Sequence, residues 1–417
     1  MVRRRLLLIT VVLVGCADAP VQPNPEAFTL NPPDVWSGTS VTIKSAGFAH
    51  APPDAILLDD DSLTFTRIDD SSFRALLPDL PGTHQVRVVS PFVLSPPVPI
   101  KLNGFLSANE GPVFMGRAVR GAYPTEVYGS GPFGLRRWNV SSGGTYDYPD
   151  SMHVSAQARG VGVGPRPGEL VLRSSGPGNW QVWRVEPTVE HLDSTQFFSD
   201  RFVDHRGNLY VLPASHQTSF AHCDTACSWS WIQSESPYDV VHASKGARAV
   251  VVAPFFSDDR APVIDVASGQ VSYYVDSLGS TSGAVFSDRG DTLFLTGNNA
   301  STMEEGPTRL RLIRAEDGTV LKTVLLPLNA CGLALDPVRP LLYAAGFGEH
   351  GLPTLAVFDQ ATLEPIAQLA ADPYAIGFPC MVLPSPLERR IYVITSWNGF
   401  FDNRVHALVA RFETPPY

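Results

Sequence analysis

A motif that returns seven times governs what this chain can fold into. Each copy places a short β-type run a few residues after a turn. The copies read Thr125-Glu126-Val127-Tyr128-Gly129, Gly168-Glu169-Leu170-Val171-Leu172, Arg206-Gly207-Asn208-Leu209-Tyr210-Val211-Leu212, Gly246-Ala247-Arg248-Ala249-Val250-Val251-Val252, Arg289-Gly290-Asp291-Thr292-Leu293-Phe294-Leu295, Arg339-Pro340-Leu341-Leu342-Tyr343-Ala344 and Arg389-Arg390-Ile391-Tyr392-Val393-Ile394. With Val127, Val171, Val211, Val251, Leu295, Ala344 and Val393 taken as equivalent, the steps are 44, 40, 40, 44, 49 and 49 residues. A unit of this size cannot bury its apolar face alone and must stack against its neighbours, so the repeat outranks any local reading. Several copies go on into a third run and a turn. Leu355-Ala356-Val357-Phe358-Asp359 leads into Gln360-Ala361-Thr362, Leu310-Arg311-Leu312-Ile313-Arg314 into Asp317-Gly318, and Pro262-Val263-Ile264-Asp265-Val266 into Ser268-Gly269. Asp-Gly and Ser-Gly are hairpin signals.

About four strands in 40–49 residues is the size of one blade of a β-propeller. The reading is therefore all-β, with a seven-bladed propeller over 104–417. Composition agrees. Charged residues are only 17% of the 417, and 34 Gly and 37 Pro break up short apolar runs, as in β-rich folds. The turn-Leu-Tyr-Val pattern and the Val-x-Asp-x-x-(Thr/Ser)-Gly tail resemble the YVTN/NHL-type propellers, a resemblance that implies the fold and leaves function open. The last copy ends in His406–Phe412 with too little chain for a fourth strand. A strand from about 99–108 is expected to fill the gap and close the ring, because an unfilled sheet edge invites association. Cys331 and Cys380 each lie thirteen residues before their copy's anchor, Ala344 or Val393, and so hold equivalent positions. They are candidates for a bridge between adjacent blades if their Cα atoms lie within about 7 Å; the alternative is two buried thiols.

Residues 28–103 read as one small β-domain. Ser40–Lys44 and Gln85–Val89 alternate as strands do. The order Asn31-Pro32-Pro33, then Gly38-Thr39-Ser40-Val41-Thr42-Ile43, Gly47-Phe48, Leu77-Pro78 and Gly82-Thr83-His84-Gln85-Val86-Arg87-Val88 resembles the IPT/TIG family. That resemblance implies a small immunoglobulin-like β-sandwich serving as spacer or binding module; it departs from the family at Ser45-Ala46, where a Gly is usual. Asp59-Asp60-Asp61 is either a solvated turn or a calcium ligand cluster.

The first sixteen residues give a compartment. Arg3-Arg4-Arg5 precedes Leu6–Val14, apolar except for Thr10, and then Gly15-Cys16. Nine residues span roughly 14 Å as a helix, far short of a bilayer's apolar core of about 30 Å, so the segment reads as an export signal. The small residue followed by Cys resembles the lipobox of bacterial lipoproteins. The resemblance implies a signal peptide over 1–15 that is removed, and an acylated (palmitate-type) Cys16 anchoring the chain in the cell envelope, facing the periplasm or exterior. Residues 16–27 are then the lipidated Cys and a Pro-rich tether. Removing 1–15 takes away three Arg and no acid, so the net charge of −10 becomes −13, which argues against a nucleic-acid partner. The four remaining cysteines, Cys223, Cys227, Cys331 and Cys380, are disulfide candidates in an exported chain. Cys223 and Cys227 could staple a loop, and with His216 and His222 nearby a zinc site is the alternative, though the spacing matches no common zinc motif and no metal is assigned.

Chemistry runs thin elsewhere. There is no Gly-x-Ser-x-Gly, His-Glu-x-x-His or phosphate-binding loop. Asp204, His205 and His242 fall near blade starts, where turn capping competes with catalysis. Arg289-Gly290-Asp291 lies in a repeat turn. Trp180, Trp183, Trp229 and Trp231 fall in third strands of the second and third copies, either as packing between blades or, with His216 and His222, as a binding patch. The insertions 213–228 and 297–308 are candidate binding loops. No cofactor is predicted. The expected function is a membrane-anchored binding or scaffold platform with a protein partner in the envelope. A propeller lyase or hydrolase and an envelope-assembly component are the alternatives, so enzymatic activity stays open.

Overall fold

The computed structural model describes residues 28–416 apart from 91–93, 115–117, 122, 132–133, 149–160, 164–167, 174–178, 186–187, 197–200, 204–208, 212–219, 224–228, 233–238, 243–247, 253–260, 266–270, 277–279, 299–307, 349–351, 372–377 and 399–404. The chain divides into two compact units. The first takes in Ser40–Leu77 and Thr83–Lys101, and the second holds Asp34–Thr39, Pro78–Gly82 and everything from Leu102 on. Among the described residues no helix is long and apolar enough to cross a membrane.

The first unit is built on β1 (Thr29–Asn31), β3 (Ser40–Lys44), β4 (Ala55–Leu58), β5 (Asp61–Ser62), β6 (Phe65–Arg67), β7 (Ser72–Leu76), β8 (Gly82–Val89) and β9 (Val98–Asn103), with β2 (Asp34–Trp36) lying in the second. One antiparallel sheet has the order β1-β3-β7-β6, and the other runs β9-β8-β4-β5. Period-two alternation turns one face of each inward. Val41, Ile43, Ile56, Leu58, Phe73, Ala75, Val86, Val88 and Ile100 are buried, while Thr42, Leu57 and Arg74 on the opposite faces are not. Phe48 caps this core edge-on to Phe73 at 5.4 Å.

The second unit repeats one antiparallel meander. The first copy's sheet is Ala118–Arg120, Glu126–Gly131, Gly134–Asn139 and Thr145–Asp147; the second's is Val161–Val163, Glu169–Arg173, Asn179–Arg184 and Glu190–Gln196. The fourth comprises Asp239–His242, Arg248–Val252, Ala261–Asp265 and Val271–Val275. The fifth comprises Ser280–Phe286, Thr292–Asn298, Thr308–Arg314 and Val320–Leu325, and the sixth Asn329–Leu335, Leu341–Phe347, Pro353–Asp359 and Pro365–Ala370. The third copy forms two separate hairpins, Arg201–Val203 with Leu209–Val211 and Phe220–Cys223 with Trp229–Ile232. First strands lie beside first strands, and that of the second copy meets that of the fourth. Consecutive sheets share cores in the order fourth–fifth, fifth–sixth, sixth–seventh, seventh–first and first–second. Sheets stacked in this way around their first strands make a β-propeller.

The sequence of each strand reflects its depth. Leu341–Phe347 and Pro353–Asp359 are buried on both faces and are almost wholly apolar, with Ala344, Ala345 and Ala356 allowing close approach between sheets. The outermost strand Val320–Leu325 is exposed at five of its six residues.

The seventh sheet is completed from the other end of the chain. Phe378–Ser385, Arg390–Asn398 and Val405–Glu413 are joined by β10 (Phe105–Phe114), antiparallel to Val405–Glu413. The expected closure is therefore made, overlapping the 99–108 window at 105–108 and running on to Phe114, because Val98–Asn103 is already used as β9. The bulges show that β10 is a true outer strand. In the second, fourth, fifth and sixth sheets the outer strand carries one extra residue, Leu192, Ser272, Leu321 or Ile366, opposite the same step of the third strand. In β10 Leu106 is the extra residue at that step. Such bulges bend an exposed edge and discourage pairing with other chains.

All seven sequence anchors fall on second strands, but two need re-registration. The turn after the third strand fixes register: Asn139, Arg314 and Asp359 each receive the same returning amide, from Gly143, Gly318 and Leu363. Their partners Glu126, Thr292 and Leu341 are thus equivalent. Arg184 pairs with Glu169 in the same way. Leu295 therefore matches Gly129 and Leu172 rather than Val127 and Val171. Shape similarity misled the sequence comparison, since any apolar residue suits a strand buried on both faces.

Candidate functional site

In each meander the turns from first to second and from third to fourth strand lie at one end of the sheet. This turn end is built on a repeated tyrosine. Tyr128, Tyr343 and Tyr392 sit at one register of the second strand, all fully buried. A buried hydroxyl needs a partner, and each finds a carboxylate near its own first turn. Tyr343 donates to Asp336 at 2.6 Å, Tyr128 to Glu126 at 3.2 Å, and Tyr392 to Glu388. Phe294 holds this register in the fifth sheet and needs no acceptor; there Asp291 accepts from Ser287 at 2.7 Å and Thr292 at 3.1 Å. Asp336 also accepts the Val338 and Arg339 amides, both at 2.9 Å, and the Arg339 guanidinium at 2.8 Å. Burial pushes its carboxyl up, but these donors outweigh that and hold it below the usual carboxylate range. Glu388 further accepts from Ser141, and Arg137 lies 3.5 Å from Glu126. Glu126, Asp291, Asp336 and Glu388 are therefore committed to the frame.

Arg120 stands apart. It ends the first strand of the first sheet, and Gly121 follows because a Cβ there would come within 2.7 Å of the Tyr128 ring. The residue is partly exposed. Its enclosure lowers its pKa, and the carboxylate of Asp288 acts in the opposite sense. Asp288 belongs to the first turn of the fifth sheet.

At the rim, turn tips carry exposed apolar side chains. Tyr123 is 50% exposed, Val338 65% and Leu387 100%, on the first, sixth and seventh sheets. Beside them Arg389 donates to the Thr414 carbonyl at 2.9 Å and to Asp34 at 3.2 Å, and Arg339 to the Pro415 carbonyl at 3.2 Å, tying the chain's last residues to the turns.

The residues singled out from sequence are distributed elsewhere. Trp183 is half-buried against the core between the first and second sheets, donates to Gln181 at 2.9 Å and meets the His191 ring edge-on at 4.9 Å. Trp180 shares its strand and pairs with Arg173 and Thr195, while His222, Cys223, Trp229 and Trp231 lie on the second hairpin of the third copy. The side chains of these five lie outside the described residues, as do Cys16, Asp204, His205, His216 and Cys227 and the side chain of His242. Cys331 and Cys380 are backbone equivalents: each is the extra residue of a first-strand bulge, and Ser282 is the same in the fifth sheet. Their side chains too lie outside the described residues. The Asp59–Asp61 run is a turn. Asp59 accepts from Gln85 N at 2.9 Å and lies 2.8 Å from His84 Nδ1, and no cluster of three metal-ligating side chains occurs among the described residues. Sequence reading missed Arg120 and Asp288, although an arginine closing an otherwise apolar inner run, Ala118-Val119-Arg120, is a visible signal.

No protein-family model matches the chain, and no curated protein matches it. Among solved structures it is similar to a chain of a mitotic checkpoint complex, at 14% identity over 73% of this chain and 91% of that one, with a TM-score of 0.48. It is also similar to the β-propeller domain of Cps50 (Swd1) from Myceliophteria thermophila, at 10% identity over 73% and 99%, with a TM-score of 0.43. A third is a Kuenenia stuttgartiensis hydrazine synthase chain, at 15% identity over 70% and 94%, with a TM-score of 0.43.

Proposed function

We propose that this chain is a lipid-anchored binding platform of the bacterial cell envelope. It is acylated on Cys16 after loss of 1–15, is spaced from the membrane by the tether 16–27 and an immunoglobulin-like domain over 28–103, and presents a seven-bladed propeller over 104–417 to a protein partner. What supports the immunoglobulin-like reading is strand order: β1-β3-β7-β6 and β9-β8-β4-β5 follow the A-B-E-D and G-F-C arrangement of that fold. Seven blades are supported by the seven anchors on second strands, with the two hairpins of the third copy standing for the remaining blade. The observation that carries the binding role is the turn end. Glu126, Asp291, Asp336 and Glu388 are committed to a stiff frame, and Tyr123, Val338 and Leu387 are exposed at turns of three consecutive sheets. Exposed apolar side chains on rigid turns are the usual anchors of protein interfaces.

Three experiments test this. In a bacterial host, an alkyne fatty acid should label the wild type and leave Cys16→Ala unlabelled; equal labelling refutes the anchor. Crosslinking in intact membranes should give a discrete adduct that is lost when Tyr123, Val338 and Leu387 are all changed to Ser, with thermal stability unchanged. An adduct that survives the triple change refutes the turn-end surface. The Cys331–Cys380 bridge belongs to the same proposal; thiol titration of the unfolded chain, before and after reduction, should reveal two additional thiols for that pair, and their absence in Cys331→Ser.

A further inference from the structure

We propose that Glu413–Pro415, the segment leaving the last strand of the seventh sheet, is a strap whose docking sets the turn tips for partner binding and whose release disarms them. The strap adds regulation to the turn-end surface and so rests on that reading. It bonds two of the three tips. At the seventh sheet the tip is the single turn Pro386–Glu388, capped by Arg389. Thr414 is fully buried and holds Arg389 from both sides of its own backbone. Its amide donates to the Arg389 carbonyl at 3.0 Å, and its carbonyl accepts from Arg389 Nη2 at 2.9 Å and Nε at 3.3 Å. The same guanidinium reaches Asp34 at 3.2 Å, and Asp34 in turn accepts from the buried Asn103. At the sixth sheet the Pro415 carbonyl accepts from Arg339 Nη1 at 3.2 Å, while Asp336 holds the rest of that guanidinium. The Glu413 amide donates to the Gly104 carbonyl at 2.9 Å and fixes where the strap begins.

Arg389 is the strained element. Its backbone is left-handed, with φ 52° and ψ 44°. A residue with a Cβ is strained there and stays only where its surroundings fix it, a condition typical of clamps and switches. The bonds to Thr414 and Asp34 do so. They thereby hold the turn in which Leu387, two residues earlier, is wholly exposed. Val338 stands one residue before Arg339 and is exposed in the same way. With the strap docked, both apolar side chains are presented on fixed turns, and a partner meets a preorganised surface. With the strap released, Arg389 is free to leave the left-handed region, the turn loosens, and binding must bear the cost of ordering it.

The test is hydrogen exchange, read by mass spectrometry on the full chain, in the wild type, Arg389→Gln and Asp34→Asn. Exchange at 386–390 and 413–416 should speed at least about tenfold in Arg389→Gln, which loses a fork of charge-assisted donors. Asp34→Asn should act in the same direction more weakly, and it decides the matter where Arg389→Gln fails to fold. The turn 287–292 of the fifth sheet, built on its own Ser287 and Asp291 bonds, should exchange as in the wild type. The partner adduct in intact membranes should fall severalfold in Arg389→Gln, although Tyr123, Val338 and Leu387 are untouched. Unchanged exchange at 386–390 in a folded Arg389→Gln, equal speeding at 287–292, or an undiminished adduct overturns the proposal. If the wild type gives no adduct, the turn-end reading falls, and the exchange pattern alone upholds or overturns the strap.

Discussion

The buried network around Asp336 gives a quantitative test of what holds the blades together. Its side chain is fully buried, and it receives Tyr343 Oη, Arg339 Nε and Nη2, and two backbone amides. Tyr343→Phe deletes one donor and keeps the ring, so the cost is that of one hydrogen bond to a charged acceptor, about 2 kcal/mol. Asp336→Ala is worse than the sum of lost bonds suggests. It strands the Tyr343 hydroxyl in a fully buried site, leaves the Arg339 guanidinium half-compensated, and frees two turn amides. An uncompensated buried pair of this kind costs about 4 kcal/mol. Urea unfolding followed by circular dichroism should therefore rank Asp336→Ala about 2 kcal/mol below Tyr343→Phe. The double variant should fall short of additivity by about 1–2 kcal/mol, because once Asp336 is gone Phe removes an orphan. If Asp336→Ala costs no more than Tyr343→Phe, or if the two changes add, the carboxylate does not organise the turn and the reasoning fails.

Four further outcomes follow from the same geometry. Asp147, Asp291, Asp336 and Asp359 have carboxyls held below their ordinary value. Their stabilisation is complete above a pH of about 3.9 and is lost as pH falls through the depressed folded values, so the unfolding midpoint should drop steeply only below about pH 4, less so in Asp336→Asn. Gly346→Ala should destabilise by at least about 3 kcal/mol in thermal melts, since a Cβ there overlaps the Asn329 carbonyl of the paired strand and the two backbones must part. Phe412→Ala should cost about 3–5 kcal/mol, removing a buried ring that meets Phe105 at 5.7 Å across the closure. Ala108→Pro, within the β10 ladder to Ala410, should open the closure and raise proteolysis of β10 in the folded protein, with Leu106→Pro, at the bulge, milder.

The sequence by itself determined the class of structure and its repeat unit. The spacing of the second strands, the third strands ending at Asp359, Arg314 and Asp265, and the equivalence of Cys331 and Cys380 all follow from local pattern, because strand propensity and turn chemistry act over a few residues. Even the need for a strand from outside the repeat was visible in the missing fourth strand of the last copy. Which strand answers that need was not. Phe105–Phe114 and Val98–Asn103 are both plausible strands, and the choice rests on which of them pairs with Val405–Glu413, about three hundred residues along the chain. The register of Val127 and Val171 was equally undetermined, since apolar residues are interchangeable in a strand buried on both faces, and only the returning amides of the third-strand turns fix it. The candidate site was the least legible of all. Arg120 and Asp288 are 168 residues apart, and nothing local to either says that one acts on the other. The Asp288 carboxylate acts on Arg120 only because the folded chain brings the first turn of the fifth sheet near the end of the first sheet's inner strand.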